Sequence, residues 1–191
     1  FKKLSGDPLK SLRKMKIIVS AHPPFATTVF CPVEFARKGD SAARPFTLIE
    51  FESLFSQAIG KIFNQHRGEA SLKMGVDELD AVLVGVRASN FKVCGHLVLN
   101  PLGFCGNKVE AVLELTFAPR NIFEDLHDFF KVKEGFYFTS APRATLFILS
   151  KIAPLPVHLA FVRSDDTHLY TLEKAAWGNH LRECKMGWAL N

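Results

Sequence analysis

From Phe51 onward apolar residues return every three or four positions: Phe51, Leu54, Phe55, Ala58, Ile59, Ile62 and Phe63. That spacing places them on one side of an α-helix, as a core face. Thr47 and Glu50 stand at the spacing of a capping box, in which each side chain satisfies an orphan backbone N–H. Phe46 and Phe51 are placed to close a hydrophobic staple across the same helix start. The pattern predicts a helix from Thr47 that fades near Asn64, before Gly68.

Other stretches alternate with the two-residue period of strands. In Lys108 to Phe117, Val109, Ala111, Leu113, Leu115 and Phe117 point one way, and Lys108, Glu110, Glu114 and Thr116 the other. One packed face and one wetter face fit an antiparallel sheet over a helix. "KIIVSA", Lys16 to Ala21, is a β-branched run bounded by Pro23-Pro24 and reads as a strand. Phe25 to Phe35 holds a second extended segment, and "RKGDSAARP" reads as a loop. Leu79 to Arg87 and Phe91 to Leu99 are further strands, with Gly95 placed for a bulge. Asn100-Pro101-Leu102-Gly103 reads as a turn, because Pro presets φ and Gly relieves a strained position. It would join the strand before it to the Lys108 strand as a hairpin. Leu9 to Lys14 looks like the end of a basic helix.

Pro119 suits the first turn of a helix whose apolar side is Ile122, Phe123, Leu126, Phe129 and Phe130. Phe136 to Ser140 is a short strand. Arg143 to Ile152 is an apolar helix stopped by Pro154 and Pro156. Val157 to Val162 and Leu169 to Leu172 pair around Ser164 to Thr167, and Asn179 to Lys185 is one more strand. The fold class is mixed α/β (α+β), with no internal repeat. The first part runs strand, helix, strand, strand, the last sixty residues repeat that order, and a soft boundary falls near Lys131 to Gly135.

The chain has 191 residues, 48% of them hydrophobic, enough for a real core and against disorder. The net charge of +5 is scattered, with no run denser than Lys10, Arg13, Lys14 and Lys16, so charge gives no reason to expect nucleic-acid binding. No apolar run approaches the ~20 residues needed to span a bilayer. Cys31, Cys94, Cys105 and Cys184 stand far apart, which favours reduced thiols over a disulfide pair. The chain opens at Phe1 and stops at Asn191, and both ends read as cuts in a longer protein.

Candidate chemistry is thin. The sequence holds no Gly-x-Ser-x-Gly, no Gly-Lys-Ser/Thr phosphate loop and no His-Glu-x-x-His. Asp165, Asp166 and His168 are the densest titratable group; at a hairpin tip they read first as a solvated turn, and second as a carboxylate–histidine metal site. Cys94-Gly95-His96 with Cys105 lacks the two close ligand pairs of a zinc site. Ser20-Ala21-His22 is a polar strand end. The chain has 18 phenylalanines. Phe25, Phe30, Phe35 and Phe104 lie outside the predicted core stripes, either as a second layer of core or as an exposed partner surface.

The turn Asn100-Pro101-Leu102-Gly103 with Gly106, set between alternating strands and followed by a helix, resembles the extra subdomain of the FtsA family of actin-like cell-division proteins. The pilus protein PilM carries a similar unit. The resemblance runs in order over about residues 16 to 175. It implies the end of an upstream helix at 1–14, a strand–helix–strand–strand subdomain at 15–131, and part of an actin-like (ribonuclease H-like) domain at 132–191. It further implies a non-catalytic interaction scaffold in the cytoplasm, reaching the inner face of the membrane only through a partner or a missing tail. The partner is a neighbouring subunit or another protein, with Leu102 and Phe104 as the contact residues. The alternative is an actin-like ATPase fragment or a PilM-like pilus assembly component. Where the family's second phosphate hairpin carries Asp, glycines and Thr, this chain has Phe161, then Arg163, Ser164 and Asp165, with Thr167 near its place. That degenerate loop implies no cofactor for this chain, with ATP and Mg reserved for a complete parent.

Overall fold

The computed structural model describes residues 17–37, 39–130, 136–162, 166–175 and 178–187. The mixed α/β fold is as the periodicities predict. The basic helix end at Leu9 to Lys14, the boundary at Lys131 to Gly135 and residues Arg163, Ser164 and Asp165 lie outside the described residues.

Strand β1 (Ile17–Ala21) leads through Pro23-Pro24 into β2 (Thr27–Ala36). The segment read as a loop holds one short helix, α1 (Asp40–Ala43). The long helix α2 (Leu48–Met74) follows, capped by Thr47, whose hydroxyl accepts the Glu50 N–H at 3.2 Å. Phe46 and Phe51 meet edge to face, 6.0 Å between centroids. The helix does not fade at Asn64. Ile62, Ala70 and Met74 are all buried, continuing the stripe at helical spacing, and Gly75 ends it in the left-handed conformation at φ 67°.

Strands β3 (Ala81–Val93), β4 (His96–Leu97) and β5 (Lys108–Pro119) complete an antiparallel sheet in the order β2-β5-β3-β4. Three sequence readings are corrected here. Leu79 to Arg87 and Phe91 to Leu99 are largely one long strand, and Gly95 is not a bulge. Cys94 (φ 48°) and Gly95 (φ 83°) form the two-residue turn between Val93 and its partner His96. Positive φ at both positions matches the twist of the flanking strands. The turn at Asn100 to Gly103 exists, but it closes no hairpin, because β5 pairs with β2 and β3 and not with β4.

Strand β5 sits at the centre, and both of its faces are buried. Val109, Ala111, Leu113, Leu115 and Phe117 face α2 and form the main core with Phe55, Ile62, Phe35 and Val29. The face expected to be wetter is covered as well: Glu114 is 8% exposed and Thr116 6%. The cover is β6 (Phe136–Ser140) and α4 (Ala141–Leu149), which follow α3 (Arg120–Phe130). Gly85 of β3 lets β6 approach, since a Cβ there would stand 3.3 Å from the Phe138 carbonyl oxygen. The Thr28 hydroxyl bonds to those of Thr116 (3.0 Å) and Ser140 (2.8 Å), tying β2, β5 and the start of α4 together.

Strand β1, expected within the first part, pairs with β6 instead. The pairing is parallel, from Ile17 opposite Phe136 to Ala21 opposite Ser140. The whole unit from β2 to α3 is therefore inserted between two neighbouring parallel strands. Strands β7 (Val157–Val162), β8 (Asp166–Ala175) and β9 (Gly178–Gly187) form a separate antiparallel sheet. Leu146 of α4 packs there with Val157, Tyr170 and Leu172.

Candidate functional site

A cleft of about 320 Å³ opens between the outer face of the four-stranded sheet, α4 and β8. The sequence dictates its walls. A regular strand would put Leu83 and Arg87 on the same face, since they are four residues apart. Leu83 packs on the α2 side, against the core. A one-residue bulge between Leu83 and Gly85 flips the alternation, so Gly85, Arg87 and Ser89 fall opposite Thr116, Glu114 and Val112 on the outer face, where Arg87 and Ser89 line the cleft. A second irregularity between Ser89 and Lys92, with Asn90 at φ 54°, restores Phe91 to the core.

On the other wall, Arg143 and Phe147 stand one turn apart on α4, and Lys151 follows in the turn just past its end. The three cations of the cleft surround one ring. The Arg87 Cζ lies 4.9 Å from the Phe147 centroid, the Arg143 Cζ 5.5 Å, and the Lys151 Nζ 4.9 Å. Each contact sets a positive charge over the electron-rich ring.

Glu114 is the one carboxylate lining the cleft among the described residues. It accepts from Arg143 Nε at 2.7 Å and from Arg143 Nη2, and its other oxygen accepts the Ser89 hydroxyl at 3.1 Å. Glu114 and Arg143 therefore neutralise each other, and the cleft keeps the charges of Arg87 and Lys151. Apolar Phe30, Leu146 and Leu172 complete the lining, with fully exposed Leu99 at the mouth.

Among the described residues, the site residues expected from the sequence, Leu102, Phe104 and Thr167, do not line this cleft. Leu102 packs partly buried against the main core, so its half of the expected contact pair is anchored in the fold. Phe104 is half-exposed at 47%. Their loop lies against the segment before α2: Gly103 N–H donates to the Phe46 carbonyl at 2.9 Å, and Phe46 N–H to the Phe104 carbonyl at 2.8 Å. Of the other phenylalanines, Phe35 is buried, Phe30 lines the cleft and Phe25 is half-exposed, so the group divides between core and surface. Thr167 is buried on β8 opposite Val162. Among the described residues no three His, Cys, Asp or Glu side chains gather as a metal group.

Sequence reasoning missed Arg87, Arg143, Phe147 and Lys151. The spacing of the last three was a visible signal. The placement of Arg87 was not, because it depends on the bulge. No protein-family model matches the chain, and no curated protein matches it.

Proposed function

We propose that the chain is a non-catalytic interaction module of the kind the FtsA-like resemblance implies, docking a neighbouring subunit or another protein through its strand–helix–strand–strand unit. The observation that carries the reading is topological. Strands β2, β3 and β5 with α2 form one antiparallel unit, and the chain leaves for it from β1 and returns into β6, the parallel neighbour of β1. The resemblance implies such a unit inserted within another domain, though with β1 as its first strand, the place that β2 takes here. The inserted unit also carries exposed apolar side chains along one stretch: Leu97 (72% exposed), Leu99 (101%) and Phe104 (47%). In this reading the module works in the cytoplasm and meets the membrane only through its partner. Among the described residues no helix is long and apolar enough to cross a membrane, which says nothing of a β-barrel.

The alternative, an actin-like ATPase or a pilus assembly component of the same build, is separated by thermal unfolding with Mg-ATP. A nucleotide at a hundred times its Kd adds about 2.7 kcal/mol of stability. The interaction reading expects no shift of the melting temperature. A shift that follows ATP concentration, with hydrolysis, replaces it with the ATPase reading.

A further inference from the structure

The cleft has features that a docking face does not need. We infer that it binds a small molecule bearing two acidic groups, carboxylate or phosphate, held between Arg87 and Lys151. Both cations lie 4.9 Å from the Phe147 centroid. They are thus no further apart than about 10 Å, roughly a Debye length at 0.1 M salt. Neither has a carboxylate partner among the described residues, because Glu114 is taken by Arg143 and Ser89.

Two like charges held over one ring repel each other, and an anion between them relieves that repulsion. Arg87 is also there by construction, since without the bulge it would face α2. Arg87 and Lys151 are both exposed, so an anion can reach them from solvent, and Phe30, Leu146 and Leu172 give the cleft its apolar walls. The volume of about 320 Å³ lies at the small end of ligand sites, generally ~300–1,000 Å³. Asn90 adds an amide to the wall. The guanidinium of Arg87 offers a two-pronged donor that suits carboxylate and phosphate oxygens alike.

The test is isothermal titration calorimetry of the purified chain at constant ionic strength with four probes: inorganic phosphate, pyrophosphate, succinate and citrate. Arg87→Ser, Lys151→Ser and, as a control, Lys61→Ser on α2 are titrated alongside. Circular dichroism confirms their folding, and Arg87→Gln replaces any Arg87→Ser that does not fold. The expected result is one-to-one binding of at least one probe with a Kd of about 1 mM or tighter, weakened about tenfold or more in either cleft variant and unchanged in Lys61→Ser. The phosphate and carboxylate arms show which acid the site prefers. Absence of binding by all four, or binding that the cleft variants leave intact, overturns the assignment. The inference stands apart from the docking reading: it fails on these heats alone, whereas docking fails on contacts made at Phe104.

Discussion

Arg143 on α4 grips Glu114 at the centre of the four-stranded sheet, with side chains only 17% and 10% exposed. This ion pair bridges the inserted unit and the part of the chain that follows it. Removing one partner leaves the other buried and uncompensated, which costs about 3–5 kcal/mol. Glu114→Ala is therefore expected to lower stability by roughly that much in urea unfolding. Glu114→Ala with Arg143→Ala is expected to cost clearly less than the sum of the two single changes, because the double variant strands no charge. Additive costs would show that the pair is not coupled.

Arg37 does comparable work at the other end of the sheet. Its side chain is 2% exposed. It donates to both oxygens of Glu50, at 2.7 and 2.9 Å, and to the carbonyls of Gly106 (3.1 Å) and Arg44 (3.1 Å). One side chain thus joins the end of β2, the first turn of α2 and the loop before β5. Arg37→Lys keeps the charge but loses the planar fork. It is expected to destabilise nearly as much as Arg37→Ala, about 3 kcal/mol in chemical unfolding.

The loop from Asn100 to Gly106 is fixed by close contact as well as by hydrogen bonds. The Asn100 side chain accepts the Leu102 N–H at 3.0 Å, and Gly103 takes φ 85°. A Cβ on Gly106 would stand 2.7 Å from Cys94 Sγ and 2.8 Å from Val93 Cγ1. Gly106→Ala is expected to lower stability by about 1–3 kcal/mol, the usual range for overpacking. Adding Cys94→Ala is expected to recover part of it, measured by thermal unfolding.

Leu102 and Phe104 are expected to separate. Leu102→Ser removes a group packed on the core and lowers the melting temperature by several degrees, about 1–2 kcal/mol. Phe104→Ser leaves the melting temperature within about 1 °C, since substitutions on the surface usually stay within ±0.5 kcal/mol. Scanning fluorimetry of the two variants checks both.

The thiols divide in the same way. Burial, with the charge of Glu69 adding to it, pushes the Cys31 thiol up to about 11 from 9.0. Cys94 and Cys105 are exposed. At pH 8 an alkylating reagent is expected to modify Cys94 and Cys105 on the folded protein and to reach Cys31 only after unfolding, as peptide mass spectrometry would show. Because the folded value is raised, the stability tied to the neutral Cys31 thiol is complete below pH 9.0 and is lost as pH rises toward 11.

Local signals in the sequence locate the elements well and their partners poorly. The cap at Thr47 and the stripe from Phe51 to Phe63 were readable because they need only neighbours within a turn. The end of α2 was misplaced because Gly68 reads as a breaker. Gly68 sits inside the helix, and Ala70 and Met74 carry the stripe on to Gly75. The supposed hairpin failed for a different reason: which strand lies beside β5 is decided across the sheet, where β2 and β3 both claim it. Glu114 was assigned to a wet face because nothing in its own strand shows that Arg143, 29 positions later, arrives to cover it. The cleft was invisible for the same reason, since the bulge before Gly85 and the fold-back of α4 create it together.

The central claim, that the inserted unit docks a protein, is tested most directly by a photoreactive phenylalanine analogue placed at position 104 of the full protein in its native cell. Cross-linking from there is expected to give one discrete adduct, with a second copy or with one other protein, and none from the same analogue at position 61 on α2. No adduct from position 104, or the same adducts from both positions, would contradict the claim.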